Sequence, residues 1–361
     1  MRVTVDSEQC VGAGQCVLNA PEVFDQDDDG VVVLLRADPT SGTTRRSARR
    51  ATCARRPRSS SRRTEPAGCA DRHRCPVRPG PRTRGPADPP PANTDRRQNH
   101  RRDSPVTTAD DTAARWLRRY HPAEADAVRL VCFPHAGGSA SFYHPVSARF
   151  APGAEVVSLQ YPGRQDRRKE PCVPDLGTLA DLITEQLLPL DERPTVFFGH
   201  SMGAALAFET AWRLEQKGAG PRTVIASGRR GPSTTRAERV HTRDDDGIVA
   251  EMKRLNGTAA GVLGDEEILR MALPALRGDY RAIETYTCPP DRRLACGLTV
   301  LTGEDDPLTT VEEAERWRDH TTGPFRLRVF TGGHFFLTQH LDAVNTEIAQ
   351  ALHPDRAAPA A

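Results

Sequence analysis

The stretch Gly199–Gly203 reads Gly-His-Ser-Met-Gly and follows the apolar run Val196–Phe198. It fits the pattern G-x-S-x-G, in which a buried strand turns sharply into a helix and presents its serine on a tight, strained bend. The segment Ala204–Lys217 has the composition of the required helix, and Gly218 is a typical helix stop. The pattern therefore predicts an α/β fold with Ser201 exposed at the end of a sheet.

A nucleophilic serine needs a base, and the base needs a carboxylate that orients it. In enzymes built on this turn the three groups follow in the chain order Ser, acid, His. Two downstream strands are predicted, at Leu298–Thr302 and Phe325–Phe330. We predict Asp306, whose turn Pro307 fixes, as the acid and keep Asp305 as the alternative. His334, in the loop after the second of these strands, is the predicted base.

A tetrahedral intermediate needs backbone N–H donors for its oxyanion. One donor is expected on the residue after the nucleophile, Met202. The other is expected after an earlier strand, and Leu130–Phe133 leads into a loop of small residues in which Ala136 is the predicted donor. His135 and His200 flank these groups, and we assign both a role in shaping the loops rather than a role as base.

Several motifs along the last two thirds of the chain form a set. They are Phe133–Gly138, Tyr161–Arg164, Phe198–Ala204 and Gly332–Phe335, together with Leu273–Tyr280 and Glu284–Tyr286. The set closely resembles the type II (editing) thioesterases of polyketide and nonribosomal peptide synthesis, over about residues 112–352. Gly278 stands where an alanine is common in that family, a departure that touches no catalytic residue.

The resemblance implies an α/β-hydrolase domain at residues 112–354, with a mostly parallel sheet and a helical lid at about 232–286. It also implies hydrolysis of acyl groups from the phosphopantetheine arms of acyl or peptidyl carrier proteins, which rescues stalled assembly lines without a cofactor. A lipase-like carboxylesterase with the same triad is the alternative, and activity on carrier-bound thioesters compared with simple oxyesters separates the two.

Three further expectations concern this domain. The alternation of charged runs and helical apolar spacing at 232–286 predicts a mobile lid, while an ordinary helical insertion stays open as the other interpretation. Arg164 is predicted to pair at the surface, the alternative being a contact with the phosphopantetheine phosphate. A helix with its apolar face on the sheet is predicted from the spacing of Leu176, Leu179, Leu182, Ile183, Leu187 and Leu188.

Residues 1–36 are of a different kind. Their sequence around Cys10 and Cys16, followed by Ala20–Asp25 and Asp27–Val33, resembles the start of a bacterial 3Fe-4S ferredoxin. In that family both cysteines would be cluster ligands, and a third thiolate in a later Cys-Pro pair would be required.

The third cluster ligand has two candidates. Cys53 has a suitable distance but no following proline, whereas Cys75 precedes Pro76 but lies too late in the chain. We expect neither to complete a 3Fe-4S cluster, so Cys10 and Cys16 are interpreted as vestigial ligands.

The segment 37–111 is rich in arginine and proline. From Thr40 to Val106 it contains 18 Arg and 10 Pro but no Leu, Ile, Met, Phe, Trp or Tyr, so it is predicted to be a disordered linker. A basic arm for nucleic acid is disfavoured because no lysine and no Phe, Trp or Tyr accompanies the arginines.

A frameshift explains this composition. GC-rich DNA translated out of frame gives proteins of such a composition. When the codons available to Ala51–Ser59 are translated in the frame that starts one base earlier, they permit a peptide containing Leu-Cys-Pro. We therefore interpret 37–111 as out-of-frame translation that begins near Pro39.

The remaining composition excludes several classes. No apolar run reaches transmembrane length and no signal-peptide pattern begins the chain, so we expect no membrane partner and a cytoplasmic location. The nine cysteines show no disulfide framework, and reduced thiols are predicted at Cys132, Cys172, Cys288 and Cys296. Residues 355–361 are predicted to be a disordered tail.

A ferredoxin-type electron-transfer protein is the alternative function of another class. It would require visible absorbance and stoichiometric iron in the purified protein.

Overall fold

The computed structural model describes residues 24–26, 32–34, 109–190, 192–256 and 266–354. The strands are β1 (Phe24–Gln26), β2 (Val32–Leu34), β3 (Leu117–Arg118), β4 (Val128–Phe133), β5 (Ala154–Leu159), β6 (Thr195–His200), β7 (Thr223–Ser227), β8 (Gly297–Gly303) and β9 (Phe325–Phe330). The helices are α1 (Ala109–Trp116), α2 (His144–Phe150), α3 (Leu176–Leu187), α4 (Met202–Glu215), α5 (Asp245–Asn256), α6 (Glu266–Glu284), α7 (Val311–Glu315), α8 (Phe336–Gln339) and α9 (Leu341–Leu352). Short 3₁₀ helices lie at Ala140–Tyr143, Gln165–Arg167, Val240–Thr242 and Arg316–His320.

Seven strands form the main sheet, in the order β3-β5-β4-β6-β7-β8-β9. Only β3 within this sheet runs antiparallel to its neighbour, and the other pairs are parallel. The predicted α/β-hydrolase class with a mostly parallel sheet is therefore confirmed. Parallel strands share one carboxyl edge, and β6, β8 and β9 all deliver their following loops to it.

The N-terminal residues that the structure describes form a small antiparallel pair, in which Phe24 of β1 lies opposite Leu34 of β2. The predicted cluster ligands Cys10 and Cys16, the rival Cys53 and Cys75, most of the linker and the tail 355–361 lie outside the described residues. Helix α1 begins at Ala109, inside the segment predicted to be linker.

The two faces of the sheet are covered by different helices. Side chains alternate between the faces along each strand. One face packs against α3 and α4 through Val131, Phe133, Val157, Leu159, Phe197, Val224 and Val300. The opposite face packs against α9 and Tyr143 through Leu130, Cys132, Val156, Val196, Phe198, Ile225 and Leu301. Burial on both faces explains why these strands read as continuous apolar runs.

Helix α3 has its predicted apolar face on the sheet, with one exception. The side chain of Asp175 accepts a hydrogen bond from the Thr178 amide at 2.7 Å, which caps the N-terminus of the helix. Leu176, Leu179 and Ile183 are buried, but Leu188 is 42% exposed. The prediction for Leu188 is wrong because the helix ends at Leu187, so the next residue leaves the apolar stripe.

Helix α4 starts directly after Ser201 and stops close to the predicted position. Gly218 has a φ of 71°, and the amide of Ala219 donates to the carbonyl of Leu214 at 2.9 Å. This is the hydrogen-bond pattern of a glycine-terminated helix end. At the other end of the helix, a Cβ atom on Gly203 would overlap with the carbonyl oxygen of Phe133. The glycine therefore allows α4 to lie against the end of β4.

The segment predicted as a lid contains α5 and α6. Their apolar residues share a cluster with the preceding 3₁₀ helix, consisting of Val240, Ile248, Val249, Met252, Leu273, Leu276 and Tyr280. The helical spacing read from the sequence is therefore correct. Whether the segment moves as a lid stays a prediction.

We expect Gly203→Ala to lower the free energy of unfolding by about 3 kcal/mol or more, because the new methyl group would displace backbone that cannot relax locally. Urea denaturation measures this change. Gly177→Ala is the matched control, since the atoms nearest to a Cβ there lie at 3.4 and 3.7 Å. In helix α3 an alanine should leave stability unchanged or raise it by less than about 1 kcal/mol. Equal effects of the two substitutions would contradict this account.

Candidate active site

Ser201 occupies the turn between β6 and α4. Its backbone has φ 56° and ψ −118°, a conformation that residues other than glycine rarely adopt. The Ser201 amide donates to the carbonyl of Ser227, on the neighbouring β7, at 2.8 Å. The hydroxyl is thereby held at the carboxyl edge of the sheet, as the sequence pattern predicts.

Two loops from neighbouring strands bring an imidazole and a carboxylate to this hydroxyl. His334 Nε2 lies 2.9 Å from Ser201 Oγ. On the other side of the ring, Nδ1 lies 2.9 Å from Asp306 Oδ2 and 3.1 Å from Oδ1. The Asp306 and His334 side chains are both buried. This chain of contacts can carry a proton from the hydroxyl to the imidazole while the carboxylate orients the ring.

The choice between the two candidate acids is clear from the geometry. Asp306 Oδ1 also accepts from the amide of Leu308 at 2.8 Å, which fixes the carboxylate in the turn. Asp305 is exposed, and its backbone amide donates to the carbonyl of Gly332 at 3.0 Å. Consecutive residues of a turn point in different directions, so only Asp306 faces the imidazole.

The loop after β4 lies next to Ser201. It bends at Gly137, which has a φ of 74°, and closes with a 2.9 Å hydrogen bond from the Gly138 amide to the carbonyl of His135. Ala136 lines the same cavity as Ser201. Met202 is the first residue of α4, where backbone N–H groups have no partner within the helix. The two predicted oxyanion donors therefore flank the serine.

Two further histidine rings, those of His200 and His135, lie near His334. The His200 ring centroid lies 5.0 Å from that of His334, and the His135 ring lies 6.1 Å from His200. Burial, with His334 nearby, lowers the pKa of His135 to about 3. Burial likewise lowers the pKa of His200 well below its usual value. Both rings therefore stay neutral near pH 7, and their role in shaping the loops stays a prediction.

A cavity of about 320 Å³ opens onto Ser201. Its wall includes Ser201, His334 and Ala136 of the loop after β4. Apolar residues of the covering segment also line it, among them Val240, Met252, Leu255, Tyr280 and Ile283. Charged residues also line it, including Arg229, Arg236, Arg243, Glu251 and Arg254. The helices α5 and α6 thus cover the serine and enclose a space of the size that small ligands occupy.

Arg164 is not at the surface, which corrects the prediction made for it. Its side chain is only 4% exposed and forms an ion pair with Asp279 of α6. The two residues are 115 positions apart, so no local pattern in the sequence could reveal their contact. Each lay within a motif of the family resemblance, which was the only available signal.

Among the residues that the structure describes, no cluster of three or more metal-ligating side chains is present. No helix there is both long and apolar enough to cross a membrane. The cysteines predicted to be reduced, Cys132, Cys172, Cys288 and Cys296, are free thiols.

We expect His200 to make stability dependent on pH. Its folded pKa lies below that of an unfolded histidine, so below about pH 6.5 the unfolded chain binds a proton that the folded chain does not. The free energy of unfolding should therefore decrease as the pH is lowered, by up to about 1.4 kcal/mol per pH unit for this residue. Urea denaturation between about pH 6.5 and 5 should give a smaller slope for His200→Gln than for the parent protein. His353→Gln is the control for loss of a histidine, and an unchanged slope in His200→Gln would refute the assignment.

Comparison with known protein families gives two matches. Residues 128–353, more than half of the chain, match the thioesterase domain. Residues 3–54 match the 4Fe-4S single cluster domain, in agreement with the predicted ferredoxin resemblance of the N-terminus.

Individual relatives agree with the first match. The chain is 47% identical over 246 residues to thioesterase PikA5 of Streptomyces venezuelae, a match that covers 68% of this chain and 88% of that protein. A match to the phenyloxazoline synthase MbtB of Mycobacterium tuberculosis is 37% identical but spans only 16% of that longer protein.

Solved structures show the same likeness. The type II thioesterase BorB from the borrelidin biosynthetic cluster is 50% identical with a TM-score of 0.64, over 66% of this chain and 97% of that one. RedJ, a thioesterase of the prodiginine pathway in Streptomyces coelicolor, is 34% identical with a TM-score of 0.58, over 63% and 89% of the two chains. With its family match, its parallel sheet and its serine at the edge of that sheet, this chain belongs to the thioesterase family of α/β-hydrolases.

Proposed function

We propose that this thioesterase hydrolyses acyl groups from the phosphopantetheine arms of acyl or peptidyl carrier proteins, and so clears stalled polyketide or nonribosomal peptide assembly lines. The observation that carries the proposal is the continuous contact from Asp306 through His334 to Ser201, at the floor of a cavity covered by α5 and α6. Such an enclosed nucleophile suits an acyl chain that enters on a narrow, flexible arm.

The proposed reaction has two halves. His334 accepts the proton of Ser201 as the oxygen attacks the thioester carbonyl, and Asp306 stabilises the resulting imidazolium. The Met202 and Ala136 amides bind the oxyanion, and each such donor typically contributes about 3 kcal/mol. The pantetheine thiol leaves, and a water deprotonated by His334 then hydrolyses the acyl-enzyme. The groups that act on the thioester in this scheme belong to the chain and to a water molecule, so the proposed reaction needs no cofactor.

The editing role rests on the relatives. BorB and RedJ belong by name to the borrelidin and prodiginine biosynthetic systems. Thioesterase YbtT of the yersiniabactin pathway, a combined peptide and polyketide system, is 30% identical with a TM-score of 0.56. We propose the same kind of partner here, and a cytoplasmic location, which the free thiols of the described cysteines support.

The N-terminal match raises ferredoxin-type electron transfer as a second function. The matched range 3–54 contains three cysteines, Cys10, Cys16 and Cys53. A four-iron cluster takes four thiolates, so this set is one ligand short of such a cluster. The predicted 3Fe-4S type takes its third ligand from a Cys-Pro pair, whereas Ala54 follows Cys53. We therefore assign no step to a cluster and keep Cys10 and Cys16 as vestigial ligands.

We expect Ser201→Ala to abolish hydrolysis of an acyl-carrier thioester, because it removes the hydroxyl that lies 2.9 Å from His334 Nε2 and that is proposed to form the acyl-enzyme. Release of the free carrier thiol, followed with a thiol reagent, measures the rate. The parent protein should prefer the carrier-bound thioester to the p-nitrophenyl ester of the same acyl group. Turnover retained in Ser201→Ala would refute the mechanism, and a preference for the oxyester would favour the carboxylesterase instead.

Asp306→Asn should lower kcat by about 10³ to 10⁴, because an amide cannot hold the His334 ring in the reactive tautomer. Asp305→Asn is the matched control and should keep kcat within about twofold, since its side chain is exposed. Circular dichroism and thermal unfolding verify that both variants fold. The reverse order of effects would make Asp305 the acid.

A further inference from the structure

One buried carboxylate joins helix α6 to the loop that carries the candidate oxyanion donor. Asp279 Oδ2 accepts a 2.8 Å hydrogen bond from the Gly137 amide and forms an ion pair with Arg164 Nη2. Both side chains of the pair are almost completely buried. The same guanidinium donates to the carbonyl of Pro162 at 2.6 Å and to that of Gly138 at 3.4 Å. Arg164 and Asp279 thus hold both sides of the bend that follows Ala136.

Close packing reinforces these bonds. A Cβ atom on Gly137 would overlap with the side chain of Leu276, which lies one turn before Asp279 on α6. On the core side, the Tyr161 hydroxyl donates to the carbonyl of Pro134 at 3.3 Å. The loop at residues 134–138 is therefore held between α6 and the turn that contains Tyr161.

The C-terminal part of α6 has further anchors. Glu284 accepts from the backbone amides of Val240 and His241 at 2.8 and 3.1 Å. Just beyond the helix, the Tyr286 hydroxyl donates to Glu209 of α4 at 2.6 Å. Helix α6 is thus tied to the nucleophile helix at one point and to the oxyanion loop at another.

A buried ion pair is weak support for stability alone, because desolvation of both charges offsets their attraction. Here burial raises the pKa of the Asp279 carboxyl, against the opposing influence of Arg164 and the Gly137 amide. The carboxylate accepts one of its hydrogen bonds from the backbone amide of Gly137, next to Ala136. Oxyanion donors are effective only when their direction is fixed before the reaction, so this hydrogen bond can contribute to catalysis as well as to stability.

We propose that the Arg164–Asp279 pair is a positioning element of the oxyanion hole, which directs the Ala136 amide toward the reacting carbonyl only while α6 is docked against the loop. The inference rests on the proposed function, since it needs Ser201 as the nucleophile. It gives the lid helix a second task besides covering the acyl cavity: docking of α6 completes the site.

The test compares Asp279→Asn and Arg164→Lys with the parent protein on an acyl-pantetheine thioester. Asparagine keeps an acceptor for the Gly137 amide but loses the charge, and lysine keeps the charge but loses the fork of donors. Both variants should lower kcat by about tenfold to a hundredfold with KM within about threefold, because the lost interaction acts on the transition state. Affinity for an alkyl boronic acid, which forms a tetrahedral adduct on the serine, should fall by a similar factor.

Arg167→Lys is the matched control. Arg167 is also buried, lies on the same turn as Arg164, pairs with Glu170 at 2.7 Å and donates to the carbonyl of Gln160 at 2.7 Å. This variant should lose thermal stability and keep kcat and boronic acid affinity. If Asp279→Asn does not fold, Arg164→Lys against Arg167→Lys decides the question.

Two results separate the possible failures. If Arg164→Lys and Asp279→Asn lose only thermal stability, like Arg167→Lys, the pair is structural and the inference is wrong. If Ser201→Ala retains turnover on the same thioester, the proposed function itself fails. Loss of turnover in Ser201→Ala together with unchanged kcat in the pair variants overturns only the inference.

Discussion

The left-handed backbone of Ser201 is the constraint on which the rest of the site depends. A strand can turn into a helix within one residue only if that residue takes up the strain and its neighbours leave room. Gly203 leaves that room against the end of β4, and the amide of Ser201 is held by β7. Once the hydroxyl stands at the carboxyl edge of the sheet, its partners must come from other strand ends, and β8 and β9 supply them.

The loop after β4 shows that the site is not made by the sheet alone. Its bend is bound on one side by Tyr161 and Arg164 and on the other by Asp279 of α6. Helix α6 therefore contacts the loop that carries Ala136 as well as lining the cavity. The proposed positioning role would link the covering of a substrate to the geometry of the reacting centre, because the same helix takes part in both.

Much of the fold and the site could be predicted from local patterns. The G-x-S-x-G turn, the buried strands and the order Ser, acid, His predict that Ser201, Asp306 and His334 meet at the carboxyl edge of an α/β-hydrolase sheet. The errors occurred where contacts join distant segments or where an element ends. Arg164 was expected at the surface because no residue close to it in the chain indicates a contact with Asp279. Leu188 continued the helical spacing, although the helix stops one residue earlier.

The sequence by itself determined the class of fold and predicted the candidate nucleophile and triad, because the G-x-S-x-G turn and the alternation of strands and helices involve residues close together in the chain. It favoured Asp306 over Asp305 through the adjacent Pro307, since a proline restricts the turn that it enters, but only the contacts of Asp306 with His334 distinguished the two. Tertiary structure alone decided which carboxylate meets Arg164, which residues enclose the cavity and how the loop containing Ala136 is held. Those choices depend on the packing of α6 against the sheet edge, and such packing brings together side chains that the chain itself keeps far apart.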